Sequence, residues 1–164
     1  MKTFLASCML FIFSGVSIAQ NAPKWMRYSS ISPDGKTIAF TYMGDLFSVP
    51  TNGGEAKQLT AHEAHDYMPV WSKDGKTIAF ASDRYGNFDI YTMNANGGEA
   101  TRLTFHSNDE SPFSFSSDDK HVLFGASRQD LAEHRQYPTA SQPELYKVPV
   151  TGGRVDQVFT IPAE

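Results

Sequence analysis

The residues best suited to metal chemistry form a short cluster, His62-Glu63-Ala64-His65-Asp66. A zinc-protease helix carries its two histidines in His-Glu-x-x-His spacing, one helical turn apart, whereas only two residues separate the histidines here. The cluster also falls between predicted strands and not on a helix. We therefore expect solvent-exposed loop histidines, with a metal site as the alternative reading, and we predict no cofactor.

Nucleophilic catalysis has few candidates in this sequence. Serines are frequent, but none lies in a Gly-x-Ser-x-Gly elbow, and no pattern pairs one with a histidine base. Cys8 is the single cysteine, which leaves the rest of the chain without a thiol for a disulfide, a zinc ribbon or thiol catalysis. We predict no catalytic residue and no metal ligand in this segment.

A long polar stretch between two predicted strands carries the side chains best suited to recognising a partner. The interval from Gly97 to Gly152 is 55 residues, against 44 from Gly53 to Gly97, and the extra residues fall within 128–142. Extended loops on a rigid scaffold commonly bind other molecules. We predict that a partner domain or a peptide contacts Arg128, His134, Arg135 and Tyr137. A tolerated surface excursion is the alternative.

The overall charge argues against nucleic acid as a partner. The chain has 164 residues, with 14 Lys and Arg against 18 Asp and Glu, and a formal net charge of -4. It lacks the basic excess that phosphate backbones demand. Hydrophobic residues make up 40% of the chain and aromatic residues 13%, which is enough for a packed core.

The amino terminus is typical of an export signal. Lys2 precedes a largely apolar stretch over 4–16, and Ser17-Ile18-Ala19 places small residues before Gln20. We predict a signal peptide over 1–19 and a periplasmic or extracellular protein that meets the membrane only during export. A membrane anchor is less compatible with the short apolar run. A lipoprotein box ending at Cys8 is the other alternative, although the apolar region follows that cysteine.

The elements that position these residues come from an internal repeat. The segment SPDGKTIAF at 32–40 recurs as SKDGKTIAF at 72–80 and, more loosely, as SSDDKHVLF at 116–124. The second half of each unit also repeats, as Asp-Leu-Phe, Asp-Ile-Tyr and Glu-Leu-Tyr, each followed by a Gly-Gly pair and a short closing strand. A period near 40 residues indicates a repeat architecture.

Each repeated segment reads as a β-strand because its apolar residues are β-branched or aromatic and turn formers bound it. Four antiparallel strands per unit of about 40 residues predict a β-propeller blade. We predict an all-β protein with a partial propeller over 20–164, three blades at about 28–60, 66–104 and 109–160, and an incomplete ring, since closure needs about four to eight blades.

The repeat also predicts aromatic packing, the geometry of one turn and one set of ion pairs. Phe40, Phe80 and Phe124 recur in register, which favours packing between blades. Asp119 replaces the glycine of the Asp-Gly turn in the third unit, so that turn should be strained or of another type. We also expect Asp83, Arg84 and Asp89 to form an exposed salt-bridged brace at the outer edge of the second blade, with little effect on stability.

The unit as a whole resembles the WD-like propeller repeat of TolB and of tricorn-type proteases. The clearest copy begins at Trp71-Ser72-Lys73-Asp74-Gly75 and ends at Ala100-Thr101-Arg102-Leu103-Thr104, and the similarity covers nearly everything from Tyr28 to Thr160. This resemblance implies the propeller fold.

A narrower resemblance is to secreted bacterial tricorn-like serine peptidases. It is carried by the opening PKWMRY at 23–28, by HDYMPVW at 65–71, by DRYGNFD at 83–89 and by the long third unit. In such proteins the propeller precedes a PDZ module and a catalytic domain, so the resemblance implies a propeller that gates or orients oligopeptides for a downstream active site. Its partners would be downstream domains of the same protein and peptide substrates.

Two other functions remain open at this point. One is a non-enzymatic, TolB-like periplasmic propeller that binds protein partners. The other is a propeller fused to an amidohydrolase or to a prolyl-oligopeptidase-type hydrolase. The sequence leaves oligomeric assembly open as well.

Overall fold

The described residues form three separate four-stranded sheets. The computed structural model describes residues 25–128 and 144–158. Their strands are β1 (Arg27–Ile31), β2 (Thr37–Tyr42), β3 (Asp45–Pro50), β4 (Lys57–Gln58), β5 (Asp66–Trp71), β6 (Thr77–Ser82), β7 (Asp89–Asn94), β8 (Thr101–Arg102), β9 (Glu110–Phe115), β10 (His121–Ala126), β11 (Glu144–Pro149) and β12 (Asp156–Gln157). The strand order is β1-β2-β3-β4, β5-β6-β7-β8 and β9-β10-β11-β12, with every pairing antiparallel.

These sheets are the three predicted propeller blades, here called blade one, blade two and blade three in chain order. The predicted fold class is confirmed, because the described residues are all-β and the three blades follow one another in an open stack. Strand β5 packs against β1 on one side and against β9 on the other. The first strand of each blade is therefore the strand nearest the propeller axis.

Aromatic pairs recur at the same register position in each blade. Phe40 lies opposite Phe47, Phe80 opposite Tyr91, and Phe124 opposite Tyr146. Their rings stack with centroids 6.0, 5.7 and 5.8 Å apart. Such stacked rings bury large apolar areas. Four of these six rings belong to the buried cores that join neighbouring blades, those of Phe80, Tyr91, Phe124 and Tyr146.

Two buried clusters hold the blades together. The first joins blade one to blade two, with Leu46 and Leu59 packed against Ile78 and Phe80. The second joins blade two to blade three and includes Ile90, Leu103, Val122 and Phe124. Successive side chains of a strand point to opposite faces of its sheet. One face of blade two therefore supplies residues to the first cluster, and the other face supplies residues to the second.

The two ends of the blades differ in what they carry. One end holds the Asp-Gly and Gly-Gly turns, as the hydrogen bond from Thr51 N to Lys36 O shows, and we call it the turn end. The other holds the connectors between blades and the loops between second and third strands, and we call it the connector end. There Asp66 N donates to Gly44 O and Glu110 N donates to Phe88 O. Strand β10 ends and strand β11 begins at this end as well.

The third Asp-Gly-type turn keeps the geometry of the other two despite its substitution. Asp119 has φ 56°, beside 71° for Gly35 and 69° for Gly75. Its carboxylate accepts hydrogen bonds from the backbone N–H groups of Lys73 and Asp74, at 2.8 and 3.0 Å. The predicted strain is therefore present as a left-handed conformation, and the side chain that creates it links two blades.

Removing this link should cost measurable stability. In Asp119→Ala the left-handed strain remains while both hydrogen bonds between blades are lost, so we expect a loss of about 2 kcal/mol. Asp119→Gly also loses the hydrogen bonds but relieves the strain, and it should lose about 1 kcal/mol less than the alanine variant. Urea unfolding of both variants gives the comparison. An alanine variant as stable as the wild type, with a glycine variant about 1 kcal/mol more stable than both, would show that the two hydrogen bonds contribute nothing.

Among the described residues, none lies in a helix long and apolar enough to cross a membrane. The predicted signal peptide at 1–19 lies outside the described residues.

Candidate functional site

The strands nearest the axis each carry an irregularity at the same place. The register shifts between Arg27 and Ser30 in β1, between Tyr67 and Val70 in β5, and opposite Leu123 and Phe124 in β9. Tyr28 and Met68, at corresponding positions of the first two bulges, have φ 52° and 56°. Bulges of this kind bend a strand and redirect side chains. They expose Tyr28 and Phe113 beside the axis, both about half accessible.

An aromatic cluster lies at the connector end of these inner strands. The Tyr67 ring makes edge contacts with Tyr28 at 5.2 Å and with Phe88 at 4.5 Å between centroids. His65 lies 5.7 Å from Tyr67 and 6.1 Å from Phe88. Burial raises the pKa of the Tyr67 hydroxyl, which stays a neutral group. We call these four residues the axial aromatic cluster.

Backbone contacts with acidic side chains hold the axial aromatic cluster in place. His65 N donates to the Asp83 carboxylate at 2.7 Å, and Phe88 N donates to Asp109 at 3.0 Å. Both acids belong to loops of the connector end. The cluster therefore presents aromatic faces and edges on fixed loops, an arrangement suited to apolar or aromatic side chains of an extended chain.

Three buried acid–arginine pairs line the same end of blades two and three. Asp66 binds Arg84 at 3.0 Å, Asp89 binds Arg102 at 2.6 Å and Glu110 binds Arg128 at 2.6 Å. All three carboxylate side chains are completely buried, and the three arginine side chains are less than one-fifth exposed. Two guanidiniums also lie over the stacked rings of their own blade, Arg84 over Phe80 and Tyr91, and Arg128 over Phe124 and Tyr146.

The predicted brace among Asp83, Arg84 and Asp89 is wrong in its pairing. Arg84 reaches Asp66 on β5, and Asp89 is bound by Arg102 on β8. The pairs are also buried and not exposed, because Asp66 and Asp89 begin strands whose side chains face the neighbouring blade. Burial raises the pKa of Asp89 and that of Glu110, while the facing arginines oppose this shift.

Of the four residues predicted to contact a partner, the structure describes Arg128 alone. Its guanidinium binds Glu110 and covers two aromatic rings, so its visible role is within blade three. His134, Arg135 and Tyr137 lie outside the described residues. Their contact with a partner stays a prediction. Asn108 donates to the carbonyl of Ser127, so the connector between blades two and three touches the start of this segment.

The histidine cluster shows no metal geometry. His62 Nδ1 accepts a hydrogen bond from Ala64 N at 2.9 Å, and His65 belongs to the axial aromatic cluster. Within 25–128 and 144–158, His, Cys, Asp and Glu side chains nowhere gather in a group of three or more that could hold a metal ion.

A groove opens at the turn end between blades one and two. Its volume is about 920 Å³, and Trp71, Lys57 and Lys73 are among its lining residues. Trp71 Nε1 donates to Ser30 O at 3.1 Å, and Lys57 Nζ donates to Asn96 O at 2.8 Å. The groove is a mixed polar and apolar surface formed where the turns of two blades diverge.

Sequence reasoning missed the acid–arginine pairs, although a signal was present. The pairs Asp66–Arg84 and Glu110–Arg128 have the same separation of 18 residues along the chain. The repeat register places both acids at the start of an inner strand and both arginines just beyond the second strand. A comparison of charged positions between units would have predicted them.

Comparisons with known proteins agree on the fold and the family. The family model described as the tricorn protease N-terminal beta propeller domain matches residues 23–164. The chain is 37% identical over 71 residues to dipeptidyl-peptidase 5 of Porphyromonas gingivalis, a match that covers 37% of this chain and 10% of that protein.

Two solved propellers show the same fold. The crystal structure of TolB from Acinetobacter baumannii superimposes with a TM-score of 0.65 at 22% identity, over 81% of this chain and 32% of that one. The crystal structure of the tricorn protease superimposes with a TM-score of 0.55 at 14% identity, over 76% of this chain and 13% of that one. The chain therefore spans a tenth to a third of the length of these similar proteins.

Proposed function

The chain belongs to the family of tricorn protease N-terminal β-propeller domains, and from this membership we propose that it is the propeller portion of an exported tricorn-like serine peptidase. In this role the blades gate or orient oligopeptides for a catalytic domain that lies downstream of this segment. The serine nucleophile, the histidine base and the oxyanion hole belong to that domain. The observation that carries the proposal is the family match over 23–164, supported by the similarity to a dipeptidyl-peptidase.

The axial aromatic cluster is the part of the propeller that we assign to peptide handling. An extended peptide entering along the axis at the connector end passes Tyr28 and Tyr67, whose ring centroids are 5.2 Å apart. Aromatic side chains bind extended chains through broad apolar contacts at a low cost in conformational entropy. Export follows from the proposed signal peptide at 1–19 and places this activity in the periplasm or outside the cell.

The proposed division of labour predicts that residues 20–164 alone hydrolyse no peptide. A longer protein that includes the downstream domain should cleave fluorogenic oligopeptides. Comparing initial rates at equal protein concentration tests this, with circular dichroism to verify that the shorter protein is folded in β-structure. Turnover by the shorter protein would refute the proposal.

The orienting role is tested in the longer protein by substrate length. Tyr28→Ala should lower kcat/KM for long peptides about tenfold while leaving a dipeptide-sized substrate unchanged, because a short substrate needs no guidance along the axis. Met43→Ala is the matched control, since Met43 is also exposed at the connector end but lies in the outer β2–β3 loop. Equal effects of the two variants would contradict guidance by the axial cluster. If the longer protein cleaves no peptide at all, the TolB-like binding role is favoured instead.

A further inference from the structure

Blade two carries a small polar pocket that the proposed peptidase role does not use. The pocket measures about 380 Å³ and lies between the outer strands of blade two and the connector that follows blade one. Its lining residues are His62, Arg84, Tyr85, Tyr91, Ala100 and Arg102. It lies away from the axial aromatic cluster, which is built on inner strands and loops.

The polar side chains of this pocket are hydrogen-bond donors. Arg84 and Arg102 supply two guanidiniums, and Tyr85, Tyr91 and His62 can each donate as well. The two nearest carboxylates, Asp66 and Asp89, are completely buried and do not line the pocket. Each holds one of the guanidiniums by a single nitrogen, Nη2. The buried acids therefore fix the orientation of both arginines. Arg102 Nε also donates to Thr104 O at 2.8 Å, so Nη1 and the second N–H of Nη2 are the groups of Arg102 that remain for a ligand.

Two buried donors at this site have no partner among the described residues, and behind them one oxygen of Asp66 and one of Asp89 are also buried without a partner. The Tyr91 side chain is 2% exposed, and its hydroxyl makes no hydrogen bond. Arg84 Nε is likewise buried without a partner. Burial raises the pKa of Tyr91 to about 12, so the hydroxyl keeps its proton and acts as a donor. An unpaired buried donor destabilises the protein, and a ligand oxygen would remove that cost.

Blade one shows that a blade forms without this set of polar residues. At the positions that correspond to Tyr91 and Arg102, blade one has Phe47 and Gln58, with the same strand pairing. The β2–β3 loop of blade one covers 43–44, against 83–88 for the matching loop of blade two, and contains no counterpart of Arg84. Gln58 Nε2 donates to Asp45 at 3.0 Å, just as Arg102 donates to Asp89. Blade three has Tyr146 and Arg128 at the positions of Tyr91 and Arg84, and it has Gln157 at the position of Arg102. The second guanidinium beside the tyrosine is therefore present in blade two and not at the matching positions of blades one and three.

We propose that this pocket binds a small oxyanion. One oxygen of the anion accepts a hydrogen bond from the Tyr91 hydroxyl, and other oxygens accept hydrogen bonds from N–H groups of Arg84 and Arg102. Guanidinium groups match the planar or tetrahedral oxygens of carboxylates and phosphates. A free phosphate and a short dicarboxylate share this chemistry, and the volume admits either one. This site is independent of the proposed peptidase function.

The test is calorimetric titration of the purified protein with inorganic phosphate and, separately, with succinate. We expect saturable binding of at least one anion at one site per chain, and the two titrations identify which anion is preferred. Tyr91→Phe removes one hydroxyl and should weaken binding about tenfold, as expected for a hydrogen bond to a charged group. Arg102→Gln copies the residue of blade one and should weaken binding by a similar or larger factor.

Tyr146→Phe is the matched control, because Tyr146 holds the position of Tyr91 in blade three and its hydroxyl bonds Glu144. It should leave the affinity for phosphate and succinate unchanged. Failure of both anions to bind the wild type would overturn the proposal. Unchanged affinity in both Tyr91→Phe and Arg102→Gln would also overturn it, since the anion would then bind elsewhere. If one of these variants does not fold, the other decides alone.

Discussion

Replacing Arg128 by alanine is expected to destabilise the protein by about 3–5 kcal/mol, the usual cost of leaving a buried carboxylate without its partner. Glu110 is completely buried and binds Arg128 at 2.6 Å. The same substitution removes the guanidinium from above the Phe124 and Tyr146 rings, 5.5 and 4.8 Å from their centroids. Chemical unfolding at neutral pH measures the loss.

An exposed pair provides the matched control for this prediction. Arg154 lies 3.2 Å from Asp156, and its side chain is 90% exposed. Arg154→Ala should change stability by less than about 1 kcal/mol, because solvent already screens that pair. The double variant Arg128→Met with Glu110→Leu should recover most of the loss, since it leaves no unpaired charge. A loss in Arg128→Ala no larger than in Arg154→Ala would contradict the importance of burial.

The loss of stability caused by Arg128→Ala should be smaller at low pH than at neutral pH. Burial raises the pKa of Glu110 in the folded protein, and Arg128 opposes that shift. Without Arg128 the folded-state pKa rises further above the unfolded value, so the folded state binds the proton more readily. The stability of the variant is then greatest below the unfolded pKa and is lost as pH rises through the folded pKa. Unfolding of the wild type and of Arg128→Ala at pH 7 and at pH 5 should give a smaller difference in unfolding free energy at pH 5. The same difference at both pH values would contradict this account.

The second large effect is expected for Phe80→Ala, with a loss of about 3–5 kcal/mol. Phe80 is completely buried in the cluster that joins blades one and two, and its ring stacks on Tyr91. Truncation leaves a cavity at the centre of that cluster, and the two facing sheets cannot close it without disturbing their strand pairing. Thermal or urea unfolding of the purified protein measures the loss.

Phe113 provides the control for Phe80. It has the same side chain on an inner strand but is 51% exposed. Phe113→Ala should lose roughly 1 kcal/mol, because about half of its surface already contacts water. Similar losses at the two positions would show that burial between blades one and two does not determine the stability of this propeller.

Local pattern was sufficient for the repeated parts of the fold. The Asp-Gly turns, the β-branched strands and the in-register phenylalanines each depend on residues close together in sequence, so the three blades were predictable from their spacing. The same reasoning predicted that Asp119 would strain its turn. It did not predict that the Asp119 carboxylate would reach Lys73 and Asp74, because that contact exists only once blades two and three are stacked.

The candidate sites show the limit of sequence reasoning more clearly. Asp83, Arg84 and Asp89 are close together in the chain, and proximity suggested that they pair. In the structure Arg84 crosses to Asp66, which lies 18 residues earlier. Strand register and β-bulges determine which way each side chain points, and residue types alone predict neither the register nor the bulges. The pocket around Tyr91 and Arg102 likewise depends on which face of blade two meets blade one.

By itself the sequence determined the repeating unit, the strand order within each blade and the chemistry it lacks, such as a thiol outside the amino terminus. These properties depend on residue type and short spacing, which every conformation of the chain shares. Only the tertiary structure decided which acid binds which arginine, which hydroxyl is buried without a partner and which aromatic rings meet at the axis. Those outcomes depend on how separate sheets stack, where distance in space no longer follows distance along the chain.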